Sequence, residues 1–187
     1  MADVIAVFGI SGVGKTWLAS RLAAKRGMRH VQAGELMRQA REVLEGRPTT
    51  AEDLRKGPVL DNQTLLLLAF NEVRAAERRH IIFDGHSVVD TGTGLVEVPV
   101  AVIEGLCPGG IVFIRDEPHN IAVRRSDDPL RRRPQRSAAE LAQHQRLALK
   151  VCEQYCAELN IPIVVVVSGD LDALDRAVRS IVSELGP

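Results

Sequence analysis

The chain is short of cysteine, of aromatic rings and of any excess of one charge, and each shortage narrows what it does. It has three cysteines in 187 residues, Cys107, Cys152 and Cys156. An odd number with no C-x-x-C pair fits a reducing compartment better than a disulfide framework. Cys152 and Cys156 lie one helical turn apart, which predicts two small buried apolar side chains rather than a metal or redox pair. Lys plus Arg and Asp plus Glu stand at 24 each, so no global basic field argues for nucleic acid or an anionic membrane as the main partner. No apolar run approaches membrane-spanning length. Met1-Ala2-Asp3 leads directly into a strand rather than into a secretory signal. These features predict a cytoplasmic protein with no membrane partner.

What is present is enough apolar material, 45% of residues, for one compact domain over 1–187. Apolar β-rich runs recur at Val4–Phe8, His30–Gln32, Ile81–Phe83, Ile111–Ile114 and Ile163–Val167, with helical stretches between them. That alternation predicts an α/β fold, a parallel five-stranded sheet with helices on both faces. The unbroken apolar run Ile163–Val167 predicts a strand covered on both faces. In such sheets ligands lie beyond the carboxyl ends of the strands, so the residues just after each strand are where chemistry is sought.

After the first strand stands Gly9-Ile10-Ser11-Gly12-Val13-Gly14-Lys15-Thr16. Its glycines permit backbone dihedrals that turn successive N–H groups inward around a phosphate. Lys15 adds a mobile positive charge for the β- and γ-phosphates of a nucleotide, and Thr16 a hydroxyl suited to Mg²⁺. The helix that follows, Trp17–Arg26, stops at Gly27 and completes the strand, loop and helix that such a motif requires. Residues Ser11, Gly12, Val13, Gly14, Lys15, Thr16 and Trp17 are therefore the candidate nucleotide-binding run.

The second strand turns through Gly34 into a helix carrying Arg38 and lasting to Gly46-Arg47-Pro48. A further helix is expected near Thr50–Lys56, and a firmer one from Asp61, as N-cap, to Arg79. Arg38 alone reads as a solvated charge; beside a phosphate loop it becomes a candidate for a second substrate's phosphate. The third strand ends in Asp84-Gly85-His86, where a carboxylate at a strand tip beside the loop suits Mg²⁺. His86 is open to either a phosphate contact or a structural role. Residues Ser87 to Pro99, including Thr91-Gly92-Thr93-Gly94, have little periodicity and predict a flexible loop on the substrate side. Asp116 is expected to cap a helix that Pro118 helps to start.

Between Arg124 and Arg136 lie six arginines in thirteen residues, with Pro129 and Pro134 excluding a continuous helix. Ser137-Ala138-Ala139-Glu140 is a capping box opening a long helix to about Leu159. The arginine segment is thus a connection between helices that could fold over a nucleotide as a lid, its guanidinium forks meeting phosphoryl oxygens. No aromatics are interleaved with it, as a single-stranded nucleic-acid site would want.

Together these motifs, Gly9–Thr16, Gly34-Glu35-Leu36-Met37-Arg38, Phe83-Asp84-Gly85-His86-Ser87 and the segment Arg124–Arg136, resemble the archaeal-type adenylate kinases among the nucleoside monophosphate kinases. The resemblance covers nearly the whole chain. It implies a three-layer P-loop NTPase fold, an acceptor-binding helical part at about 34–80 and a lid at about 125–136. It implies reversible transfer of the γ-phosphoryl of MgATP to AMP, with small nucleotides as partners and a homo-oligomer compatible with the sequence. By position, Lys15 and the loop amides would hold ATP. Thr16 and Asp84 would serve Mg²⁺, and Gly34, Arg38, Asp84 and His86 would form the acceptor side. Arg124 or Arg125 would approach ATP, and Arg132, Arg133 and Arg136 would neutralise the transferring group. Leu95-Val96-Glu97-Val98-Pro99 departs from the glycine-proline pattern of that type, which bears on the acceptor. Two other readings stay open: a P-loop kinase with an alcohol acceptor and Asp84 as its base, and a nucleotide-dependent switch or ATPase. The absence of an N/T-K-x-D motif and of a Glu after Asp84 argues against the second.

Overall fold

The computed structural model describes residues 3–46, 48–50, 59–91, 93–128 and 133–184. The strands are β1 (Val4–Phe8), β2 (Arg29–Gln32), β3 (Ile81–Asp84), β4 (Val88–Asp90), β5 (Leu95–Glu97), β6 (Gly110–Arg115) and β7 (Ile163–Val167). The helices are α1 (Lys15–Arg26), α2 (Ala33–Glu45), α3 (Val59–Ala76), α4 (Val100–Leu106), α5 (Pro118–Ser126), α6 (Ala138–Leu159) and α7 (Leu171–Glu184). Five strands pair in parallel in the order β2-β3-β1-β6-β7, as the alternation predicts. Helices α1 and α7 pack together on one face, while α6 lies against β6 and β7 with α4 and α5 beside it.

The central strands are apolar up to their last residues, Asp84 of β3 and Arg115 of β6, because both faces are covered; β1 and the apolar part of β6 are completely buried. Phe83 meets Phe8 and Phe70 edge-on, with ring centroids 6.4 and 5.3 Å apart, the arrangement favoured by aromatic quadrupoles. The expected stops hold: Gly27 and Gly46 end α1 and α2 in left-handed conformations, where the lack of a Cβ removes strain. Ser137 and Glu140 form both hydrogen bonds of the capping box that opens α6. Cys152 and Cys156 are buried on α6 as small apolar residues.

Several expectations are corrected. Helix α3 is already formed at Val59, so Asp61 lies inside it rather than at its N-cap; Val59 and Leu60 carry the apolar run further back. It ends at Ala76 rather than Arg79, and Glu77 Oε1 accepts the Arg78 and Arg79 amides at 3.0 Å as the chain turns away. The segment after Ser87 is an antiparallel hairpin, β4–β5, with Val88 facing Glu97 and Asp90 facing Leu95. It is pinned to α6: Ser87 Oγ donates to the Ala148 carbonyl at 2.9 Å, and the Tyr155 hydroxyl donates to the Ser87 carbonyl at 3.3 Å and to that of Val98. Strand β7 is an edge strand with Val165 and Val167 exposed, so an all-apolar run here does not mean cover on both faces. Glu117, not Asp116, occupies the N-cap of α5, although Asp116 Oδ1 does accept the Glu117 amide at 2.7 Å. The helix expected near Thr50–Lys56 falls almost wholly outside the described residues. Among these residues no helix is long and apolar enough to cross a membrane.

Candidate active site

The parallel register sets the site at one end of the sheet. Val7 pairs with Asp84, which brings the tip of β3 beside the loop that leaves β1. Two glycines there are irreplaceable on steric grounds. A Cβ on Gly9 (φ 148°) would lie 2.5 Å from the Ile114 carbonyl oxygen, and one on Gly12 (φ 89°) would lie 2.6 Å from Arg125 Cγ.

For loop amides to face inward, the intervening carbonyls must face outward and find donors. Four do. His86 Nδ1 donates to the Gly9 carbonyl at 2.8 Å, Lys15 Nζ to Ile10 at 3.4 Å, Arg124 Nε to Gly12 at 3.1 Å and Ser168 Oγ to Val13 at 2.6 Å. This leaves the first amides of α1 without intrahelical carbonyls and with no acidic side chain in the first turn. Such a helix N-terminus is an anion site by dipole and by geometry.

Lys15 and Asp84 are buried at 5% and 6% exposure. Asp84 Oδ2 accepts the Thr16 hydroxyl at 2.6 Å, and Lys15 Nζ stands 4.0 Å from Asp84 Oδ1. Burial works to raise the Asp84 carboxyl, but the His30 ring, the Lys15 ammonium and the Thr16 hydroxyl outweigh it and hold it below the ordinary carboxylate range. Asp84 is therefore an anion at neutral pH, and with the Thr16 oxygen it is a hard donor pair of the kind Mg²⁺ takes. Among the described residues no group of three or more His, Cys, Asp or Glu could hold a metal by itself, so an ion here would take its other ligands from substrate and water. Burial and the Lys15 charge lower the His86 imidazole, keeping it neutral and suited to donate to Gly9. Its contact in this structure is the structural one. His30 Nε2 lies 3.6 Å from Asp84 Oδ2 without a hydrogen-bond partner.

The arginine segment reaches the same place. Arg133 Nε donates to Ser11 Oγ at 3.1 Å and its Nη2 to Asp128 at 2.8 Å. The Arg125 stem lies over Gly12. Arg124 is tied to Gly12 and to Asp116. Arg136 turns aside, its Nε and Nη2 spanning the Asp90 carboxylate at 3.2 and 2.9 Å. Arg132 lies outside the described residues. Of the residues expected to form an acceptor side, Gly34 sits in the first turn of α2. Arg38 is engaged by Glu35 at 2.5 Å and Glu42 at 2.6 Å on its own helix, and both pairs raise its already high pKa. Trp17, half exposed, stacks with Arg21, whose guanidinium carbon is 4.5 Å from the ring centroid. Ser168 and Asp90 were not signalled in the sequence: each meets its partner across 155 or 46 residues. The position of Ser168 just after a strand was the one available clue.

A cleft lined by Asp3, Arg74, Cys107 and Glu184 opens at the opposite end of the sheet, where β1, β6 and β7 begin, away from all of these residues.

Residues 8–142 match the family model described as AAA domain. The adenylate kinase of Methanopyrus kandleri is 31% identical over 188 residues, covering 97% of each chain. That of Methanoculleus marisnigri is 28% identical with the same coverage. Among solved structures, shikimate kinase from Acinetobacter baumannii in complex with shikimate gives a TM-score of 0.63 at 18% identity, covering 100% of this chain and 96% of that one. A gluconokinase from Sinorhizobium meliloti gives 0.52 at 19% identity, with 98% and 93% covered. At such identities the structural likeness speaks for the fold alone, an α/β P-loop fold.

Proposed function

The chain belongs to the AAA domain family and to the P-loop lineage that includes the archaeal adenylate kinases, and from that premise we propose that it transfers the γ-phosphoryl of MgATP reversibly to AMP or another nucleoside monophosphate. The observation that carries the reading is the constellation of buried Lys15 and Asp84 with partly buried Thr16 at the mouth of the loop, with Arg133 reaching Ser11 from the arginine segment. In this reading the amides from Gly12 to Thr16 and the Lys15 ammonium hold the ATP phosphates. Thr16 and Asp84 would hold Mg²⁺, which supplies charge neutralisation between phosphoryl oxygens when bound.

Phosphoryl transfer asks for positioning and electrostatic stabilisation more than for covalent chemistry. Arg133 donates to the transferring group from above, and Arg125 adds positive charge beside it. A closed arginine segment excludes water, which would otherwise take the phosphoryl group. An acceptor phosphate ionised at neutral pH needs no general base. Arg38 meets that phosphate by exchanging its Glu35 and Glu42 partners for it.

An alcohol acceptor would instead need a carboxylate to receive its proton. Asp84, the candidate base, already accepts from Thr16 and faces Lys15, which disfavours that reading. Coupled assays with MgATP and each nucleoside monophosphate, with gluconate and shikimate as controls, test the proposal. ADP formation that depends on a monophosphate supports it; dependence on an alcohol, or turnover that no acceptor accelerates, overturns it.

A further inference from the structure

Asp90 closes β4, three residues beyond the Phe83–Ser87 motif and part of none, and its carboxylate is 6% exposed and faces Arg125 and Arg136. Arg136 spans it with two hydrogen bonds, and Arg125 Nη2 stands 3.8 Å from its Oδ2. Arg125 in turn donates to the Pro134 carbonyl at 2.8 Å. The stretch from 133 to 136 is therefore fastened at its far end to the hairpin and at its middle to α5. At its near end stands Arg133, 8% exposed, with Nε on Ser11 and with Nη1 buried and lacking a hydrogen-bond partner. A buried guanidinium N–H without an acceptor is costly. Here that donor stands on the residue that reaches the phosphate loop, as a group awaiting an anion would.

We propose that Asp90 is a positioning residue for phosphoryl transfer. Acting through Arg136, it holds residues 133–136 against the β4–β5 hairpin so that Arg133 stands over the phosphate loop. Arg136 is then the fastening, not a group that touches the transferring phosphoryl. The inference rests on the reading above for its effect on turnover, and on the geometry alone for its effect on nucleotide release. A bidentate fork is directional, so the hairpin sets the angle as well as the distance at which Arg133 arrives. Since the hairpin is pinned to α6 by Ser87 and Tyr155, the fastening has a rigid base.

The test uses the full chain with Asp90→Asn, Asp90→Glu and Arg136→Lys, and two readouts. One is kcat for transfer from MgATP to the best nucleoside monophosphate. The other is the release rate of a fluorescent, non-hydrolysable ATP analogue in stopped flow. Asp90→Asn is expected to lower kcat at least about tenfold and to speed release about tenfold, because entry and exit both open while equilibrium affinity stays within about threefold. Asp90→Glu, which keeps the charge, recovers most of both. If Asp90→Asn does not fold, Arg136→Lys keeps the carboxylate paired but removes the fork, and shows the same two changes. A folded Asp90→Asn or Arg136→Lys variant with wild-type release overturns the proposal. If the wild-type protein transfers to no monophosphate, the functional reading fails, and the release rates still decide the role of Asp90.

Discussion

The phosphate loop and the arginine segment bring positive charge to the same space, but they are held there in different ways. The loop is tied through its carbonyls: His86, Lys15, Arg124 and Ser168 each donate to one of them. Such bonds fix backbone dihedrals whether or not a ligand is present. The arginine segment is tied through carboxylates, with Arg136 on Asp90, Arg133 on Asp128 and Arg124 on Asp116. A carboxylate and a phosphate compete for the same fork. The loop is thus preorganised, while Arg133 and Arg124 are stored on anions that a phosphoryl group can replace and Arg136 stays fastened to Asp90.

The largest expected effect follows from the loop. Lys15→Ala removes the one mobile charge inside the cage, and turnover in the coupled assay should fall about 1000-fold or more with little change in melting temperature. A fall of less than tenfold would remove Lys15 from the chemistry. Next comes Arg133→Ala, which should lower kcat about 100-fold while changing ATP-analogue affinity only a few-fold. An equal loss in both would mean that the lid binds nucleotide instead of stabilising transfer. A smaller effect is expected at Ser168→Ala, which frees the Val13 carbonyl and should weaken ATP-analogue binding about fivefold, roughly 1 kcal/mol. Fluorescence of Trp17, the sole tryptophan and the residue after Thr16, provides the titration.

The smallest effect concerns the anchor of α1. Asp175 accepts Arg26 Nε and Nη2 at 2.6 Å each and lies 3.2 Å from Lys25, tying α1 to α7. The Arg26 hydrogen bonds hold its carboxyl down at about 2. A depressed carboxyl stabilises the fold above its unfolded pKa of about 4. That stability is lost as the pH falls from about 4 toward about 2. Asp175→Asn should therefore cost about 1 kcal/mol at pH 7, discounted for the exposure of Arg26 and Lys25, and almost nothing at pH 2. Equal melting losses at both pH values would show that the pair stabilises by packing instead.

The same comparison explains what the sequence disclosed. Gly9–Thr16 is local chemistry: its glycines, lysine and threonine are adjacent, and the strand and helix around it have clear periods and a stop at Gly27. Asp84 was legible because strand tips are where α/β sheets keep ligands. The capping box at Ser137 was legible for the same local reason. The hairpin was not, because strands of three residues show no measurable alternation and their stability comes from contacts with α6, made by Ser87 to Ala148 and by Tyr155 to Ser87 and Val98. Nor was the exposure of Val165 and Val167, since edge position is a property of strand order and not of the strand. Asp90 and Ser168 escaped because their partners are brought near only by the fold.

The four carbonyl tethers have one more consequence. Their donors come from the turn after β3, from α5, from the turn after β7 and from the loop itself. Cutting out Gly9–Thr16 and splicing it onto another strand and helix would move one tether and abandon three. The motif is portable as text, while its shape belongs to the whole chain.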